Sequence, residues 1–165
     1  MEARFYENGE LTDDWASSSA GYATAMKRNL AGVEDYTRVG SQYYPEQVVK
    51  YNELLYRETG IGYAEKNYFF DYELLKGDKN TCLDGPNKVV ITERIANKYF
   101  KGADPIGKIL IFRSNIGEEA CEVTGIMKDM PVNSHVRYSM MISYETLPKW
   151  MDEYWYRHEV YSYVL

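Results

Sequence analysis

The stretch KVVITERIANKYFKGADPIGK, residues 88–108, decides how this chain folds. Lys88-Val89-Val90-Ile91 is a short apolar run after the turn signal Asp84-Gly85-Pro86-Asn87, which predicts a strand. A helix is predicted at once after it. Thr92 supplies a side-chain oxygen to the orphan N–H groups of the first turn, a cap worth about 1 kcal/mol. Ile95, Ala96, Tyr99 and Phe100 fall on one side of that helix and form its inward face. Gly102 is expected to stop it, and Asp104-Pro105-Ile106-Gly107 makes a tight connection into the next strand.

Downstream, residues 108–113 carry the run Ile109-Leu110-Ile111-Phe112, apolar on both faces, so this strand is expected to be central. Asn115-Ile116-Gly117 turns the chain. Cys121, Val123, Gly125 and Met127 then alternate with Glu122, Thr124 and Ile126 as the partner strand of a hairpin. Residues 128–135 form a loop around Pro131 and residues 137–143 a further strand. A short helix over 146–153, held by Leu147, Trp150 and Met151, precedes a last strand at 160–165. The chain ends inside that strand, as a segment excised from a longer protein would.

Upstream, residues 1–6 suit a first strand, and Glu7-Asn8-Gly9-Glu10 a turn. Asp13 or Asp14 is then expected to cap a helix with Trp15, Tyr22, Ala23, Met26 and Leu30 as its buried stripe, ended by Gly32. The small residues from Ser17 to Gly21 weaken its first turn. Residues 33–39, 47–57 and 60–66 each read as a strand, broken at Pro45 and Glu58-Thr59-Gly60, and the simplest arrangement is an antiparallel meander. Residues 67–70 predict one helical turn.

Composition narrows the function. A chain of 165 residues makes one compact domain or two small lobes, burying about 70% of its unfolded surface. Hydrophobic residues at 45% and charged residues at 27% are ordinary for a globular protein and exclude disorder. The 17 tyrosines suit sheet faces that meet a wet or protein-covered surface. A net charge of -6, with no concentrated basic run, excludes a nucleic-acid partner. No stretch approaches the roughly 20 apolar residues that span a bilayer, and no basic-then-apolar leader opens the chain, so the segment as given reads as soluble.

Each tempting site has a structural reading that outweighs it. Ser134-His135 are neighbours that point apart on an extended chain, so His135 cannot easily serve Ser134 as a base; a triad would need His158, and no Gly-x-Ser-x-Gly elbow is present. Asn133 and Ser134 instead suit a turn. Cys82 and Cys121 match no metal or redox spacing and read as free buried thiols. The pairs Asp13-Asp14 and Glu118-Glu119 read as solvated charges rather than calcium ligands. Gly60-Ile61-Gly62 lacks the third glycine and the helix of a nucleotide fingerprint. Trp150, Met151, Tyr154, Trp155 and Tyr156 form an aromatic patch that reads as packing of a short helix, with a partner or membrane-interface contact as the alternative. No residue is assigned a catalytic, cofactor-binding or metal-ligating role.

Several segments, in order, resemble the MacB-like periplasmic core domain of ABC transporter permeases. Residues 90–100 with Gly102 and Asp104-Pro105-Ile106-Gly107-Lys108 are similar to the family's strand, helix and turn. Asn67-Tyr68-Phe69-Phe70-Asp71-Tyr72 with Leu74-Leu75-Lys76-Gly77-Asp78 and Leu83 resembles an upstream motif. Residues 123–135, VTGIMKDMPVNSH, resemble a downstream one. The resemblance implies a two-lobed α+β domain at the periplasmic face of the inner membrane. Residues 1–41 and 129–165 would form a membrane-proximal βαβ-type lobe, shortened at its C-terminus. Residues 42–128 would form an inserted, distal, strand-rich lobe of mixed or antiparallel sheet with a short helix.

The resemblance further implies a non-enzymatic role with no cofactor. The domain would pass on conformational change driven by a separate ATP-binding subunit, through transmembrane helices absent from this segment, with a periplasmic adaptor or lipoprotein as a further partner. The segment itself is expected to be monomeric. The competing reading is a stand-alone periplasmic carrier that binds a lipid or peptide.

Overall fold

In a computed structural model, residues 3–15, 17–40, 46–68, 73–114, 117–134, 137–150 and 160–164 are described. The chain divides into two compact units. One comprises Met1–Gly40 with Pro148–Leu165, the other Ser41–Leu147. The fold is α+β, as the family resemblance implies.

The first unit begins with a hairpin of β1 (Ala3–Glu7) and β2 (Glu10–Trp15), paired antiparallel. Asn8 and Gly9 both sit at positive φ, 53° and 86°, the geometry that an Asn-Gly turn adopts at low cost. That turn overrides the expected helix cap. Asp13 and Asp14 lie in β2, opposite Phe5 and Arg4, and helix α1 is only Gly21–Asn29. Nor does Gly32 end it, because the cap is Leu30, in extended conformation.

The serines before α1 make an interaction of their own. Ser18 bridges Val160 through both backbone groups, and its hydroxyl lies 2.9 Å from that of Ser162. Strand β3 (Tyr36–Gly40) pairs antiparallel with β12 (Val160–Val164). Arg38 in β3 is buried, and its guanidinium donates to the Ala20 carbonyl at 3.0 Å. A buried guanidinium needs such an acceptor, since the charge cannot be neutralised.

The second unit holds β4 (Glu46–Tyr51), β5 (Leu54–Thr59), β6 (Ile61–Ala64), β7 (Leu74–Lys76), β8 (Lys88–Thr92), α2 (Glu93–Phe100), β9 (Ile109–Ser114), β10 (Gly117–Met127) and β11 (Met140–Ser143). Its strands run in the order β6-β11-β8-β10-β9-β4-β5, with β7 added to β10. The expected meander is not formed. Hairpin β4–β5 is antiparallel, but one residue after β5 the chain joins β6, which pairs parallel with β11 at the other end of the order. Gly60 makes that switch at a φ of 72°, and its carbonyl accepts from the Ser139 amide at 2.7 Å. The first and last strands of this unit's order are therefore joined by a single residue, so the strands between them must curve.

Helix α2 forms as its sequence dictates. Thr92 Oγ1 accepts from the Ile95 amide, and Ile95, Ala96, Tyr99 and Phe100 are all buried. Its C-cap is Lys101 at a φ of 51° rather than Gly102, which follows at 91°. Val89, Val90 and Ile91 of β8, Met140, Met141 and Ile142 of β11, and Leu83 expose no surface, and α2 packs against β8 and β10. Parallel pairing of β8 with β10 gives the apolar run its place in mid-sheet. Strand β9 also lies inside the sheet, but only one face is packed. Leu110 and Phe112 are buried while Ile109 is 48% exposed.

The strand near residue 140 begins only at Met140, and a 3-10 turn, Tyr144–Thr146, follows it; the helix expected over 146–153 lies in part outside the described residues. Met151, Glu153, Tyr154, Trp155, Tyr156, Phe69 and Phe70 lie outside the described residues, as do His135 and His158.

Candidate functional site

The three segments that carry the family resemblance, far apart in sequence, converge on one corner of the second unit. At its centre is β10. Ile126 and Met127 pair with Lys76 and Leu74 of β7, and the same stretch pairs on its other side with β8. Gly77, just beyond β7, has a φ of 94°, and a Cβ there would lie 2.5 Å from the Thr124 carbonyl oxygen and 2.9 Å from the Gly125 Cα. Two main chains therefore touch where a side chain would part them. The Thr124 hydroxyl donates to the Cys82 carbonyl at 2.6 Å, fastening the loop before β8 to the same strand.

The Asp-Pro-Ile-Gly-Lys turn fastens the remaining side. Gly107 donates its N–H to the Val123 carbonyl, and the Val123 N–H returns to the Lys108 carbonyl, each at 2.8 Å. The Asp104 carboxylate accepts from the Ile106 amide at 3.2 Å and lies 3.5 Å from Lys76 Nζ. The amide bond, aided by Lys76, holds the Asp104 carboxyl below the usual carboxylate range, so it is ionised throughout the physiological range. Between β7, α2 and this turn lies a groove of about 320 Å³. Pro105 and Leu75 line its apolar part, and Lys76, Glu93, Asn97 and Asp104 its polar part.

Two carboxylates elsewhere in this unit fasten elements that the sequence does not bring together. Glu58 of β5, only 7% exposed, accepts from Lys98 Nζ at 2.6 Å and from the Tyr99 hydroxyl at 2.8 Å, bolting α2 to the outermost strand. Burial and the adjacent carboxylate push the Tyr99 hydroxyl well above the usual tyrosine range. The Tyr63 hydroxyl donates to Glu119 at 2.8 Å, linking β6 to β10. Burial raises the Glu119 carboxyl, and the Tyr63 bond offsets part of that rise. Alternation along β5 is the signal that points to Glu58, but the Glu58-Thr59-Gly60 cluster reads as a break and hides it.

The residues singled out by sequence do not assemble into a reactive centre among those described. The Ser134 amide bonds to the Pro131 carbonyl at 3.0 Å, closing a turn. Glu118 pairs with Arg113 across the β9–β10 hairpin. Gly60-Ile61-Gly62 leads into β6, where Gly62 lies under the ring of Tyr138. Cys82 and Cys121 are free and buried, and burial pushes their thiols up to about 11 and about 12. Trp150 is 63% exposed. Among the described residues no three His, Cys, Asp or Glu side chains gather as a metal site would require. None of the described helices is long and apolar enough to cross a membrane.

The family model of the MacB-like periplasmic core domain matches residues 3–164. The chain belongs to this family. Its periplasmic core domains are parts of ABC transporter permeases, which work with ATP-binding subunits. A domain described as that of a permease protein from Porphyromonas gingivalis is similar over 92% of this chain and 69% of its own, at 25% identity and a TM-score of 0.75. The periplasmic region of MacB from Actinobacillus actinomycetemcomitans is similar over 75% of this chain and 54% of its own, at 16% identity and a TM-score of 0.56. The extracellular domain of the noncanonic ABC-type transporter YknZ from Gram-positive bacteria is similar over 98% and 79%, at 18% identity and a TM-score of 0.63. The last two share the fold. No curated protein matches the sequence.

Two predictions test this corner and the interior beside it. Gly77→Ala should destabilise the chain by about 2–4 kcal/mol, combining a strained φ with a main-chain clash, whereas Gly102→Ala, with open space around it, should cost about 1 kcal/mol. Urea denaturation of both variants measures the difference. For Glu119, a raised carboxyl means that the folded chain holds the proton more tightly than the unfolded chain. Its ionised form therefore weakens the fold at neutral pH, and that cost fades as pH falls through the raised value toward the ordinary glutamate range. Glu119→Gln should melt above the parent at pH 7, with the gap closing below about pH 4.

Proposed function

We propose that this chain works as a mechanical element of an ABC transporter permease on the periplasmic side of the inner membrane, with no chemistry of its own. Displacements driven by a separate ATP-binding subunit reach it through membrane helices and are passed on to substrate or to a periplasmic adaptor or lipoprotein partner. One observation carries the reading. The residues that mark the family are used here in main-chain junctions, as with Gly77 against Thr124 and Gly107 against Val123, and not in presenting reactive groups. A body braced by interlocked backbones moves as a unit, which force transmission needs.

The division into residues 1–41 with 129–165 near the membrane and 42–128 beyond it belongs to the same proposal. The strand-rich part would be the arm that meets partners, and the groove beside Asp104 lies on that part.

The test uses the full-length permease with its ATP-binding subunit in vesicles. Replacing residues 41–147 by a short Gly-Ser linker should leave ATP hydrolysis running and abolish transport. Transport that survives the replacement would contradict the proposal, as would hydrolytic turnover by the purified 165-residue chain that is lost on Ser134→Ala.

A further inference from the structure

Strand β5 ends the sheet of the second unit, and among the described residues it pairs with β4 alone. Natural sheets usually guard such an edge with lysines, a proline, a bulge or a very short strand, because unpaired N–H and C=O groups invite another chain. Strand β5 has no lysine, proline or bulge, and its charges are Arg57 on the outer face and Glu58 committed to Lys98 and Tyr99 on the inner one. It is six residues long, LLYRET, contains no proline, and keeps an unbroken register with β4 from Leu54 to Thr59.

The ladder determines which groups face outward. The two-residue turn Asn52-Glu53 makes Tyr51 and Leu54 the first hydrogen-bonded pair, and such pairs alternate along an antiparallel ladder. Leu54, Tyr56 and Glu58 therefore turn their backbone groups to β4, while Leu55, Arg57 and Thr59 turn theirs to the open edge. The side chains split in the same rhythm. Tyr56 and Glu58 meet Tyr99 of α2, whereas Leu55 is 55% exposed and the Arg57 side chain 79% exposed.

We infer that this edge pairs antiparallel with the same edge of a second copy of the chain, with Leu55 on the two-fold axis. Parity allows only registers that set outward-facing residues against one another. An axis at Arg57 would bring two guanidinium groups face to face. An axis at Tyr56 would set Leu55 against Arg57, Leu54 against Glu58 and Glu53 against Thr59, leaving every charge unmatched. An axis at Leu55 sets Leu54 opposite Tyr56 twice and Leu55 opposite itself, and brings Arg57 of each copy past the end of the other's strand, beside Glu53 of its turn. Opposite charges and apolar pairs directly across a sheet stabilise it, and like charges oppose it.

The segment ELLYR is thus self-complementary in charge about its central leucine, and the contact closes as a symmetric pair. Arg57 already bonds Glu46 at 2.9 Å, and its five donors can serve both carboxylates.

The test combines sedimentation equilibrium of the 165-residue chain over a range of concentrations with a cross-link. In a hydrogen-bonded antiparallel pair the Cα atoms lie about 5.5 Å apart, within disulfide range. Leu55→Cys should therefore give a covalent dimer under mild oxidation by glutathione, and Thr59→Cys should not. Glu53→Lys or Arg57→Glu should each weaken association by about tenfold, and the double variant should restore it. Melting temperatures of all variants confirm that each is folded. A chain that stays monomeric without a Leu55→Cys dimer overturns the proposal. So does a dimer that ignores both charge variants, or equal cross-linking at residues 55 and 59.

Discussion

The rest of the second unit depends on a place where two backbones touch. Gly77 lies so close to Thr124 and Gly125 that no side chain fits between, and this contact lets β7 join β10 at the end of its 11-residue run. Strand β10 is where the unit is assembled. It borders β9 through its first half, β8 along the other side and β7 at its tip. Loosening that contact would disturb three strands and the Asp-Pro-Ile-Gly-Lys turn together.

The buried charges follow the same logic of fastening. Glu58 joins Lys98 and Tyr99, tying a peripheral strand to the helix that covers the core. Arg38 reaches the Ala20 carbonyl and ties the start of α1 to β3 in the first unit. A buried ion must be matched or it destabilises the fold, and both are matched by groups on a different element. Such pairs fix how elements sit on one another, a contribution to stiffness rather than to reactivity.

How much was legible in the sequence depended on how local the deciding interaction is. Helix α2 could be read whole, because Thr92 caps it and Ile95, Ala96, Tyr99 and Phe100 repeat at its own period. The family resemblance rests on this stretch and two others, and it carried the α+β class with it. The hairpin at Asn8-Gly9 is half legible, since the turn is local but the carboxylates after it suit a helix cap equally well. The order of strands was not legible. The parallel pairing of β8 with β10 and of β6 with β11 rests on partners tens of residues away, and neither periodicity nor turn chemistry records them. The corner at Gly77 was visible as a motif, yet not as a place, because its parts meet only in three dimensions.

The claim at the centre of this account is that the family-marking residues brace the second unit so that it moves as one body. Native-state hydrogen exchange of the Gly107 and Val123 amides, followed across low urea concentrations, tests it most directly. A braced junction should exchange only through global unfolding, with the same urea dependence as the amides of Val90 and Ile91 in β8. Faster exchange that is insensitive to urea would show the junction opening locally, and would make it a hinge instead of a brace.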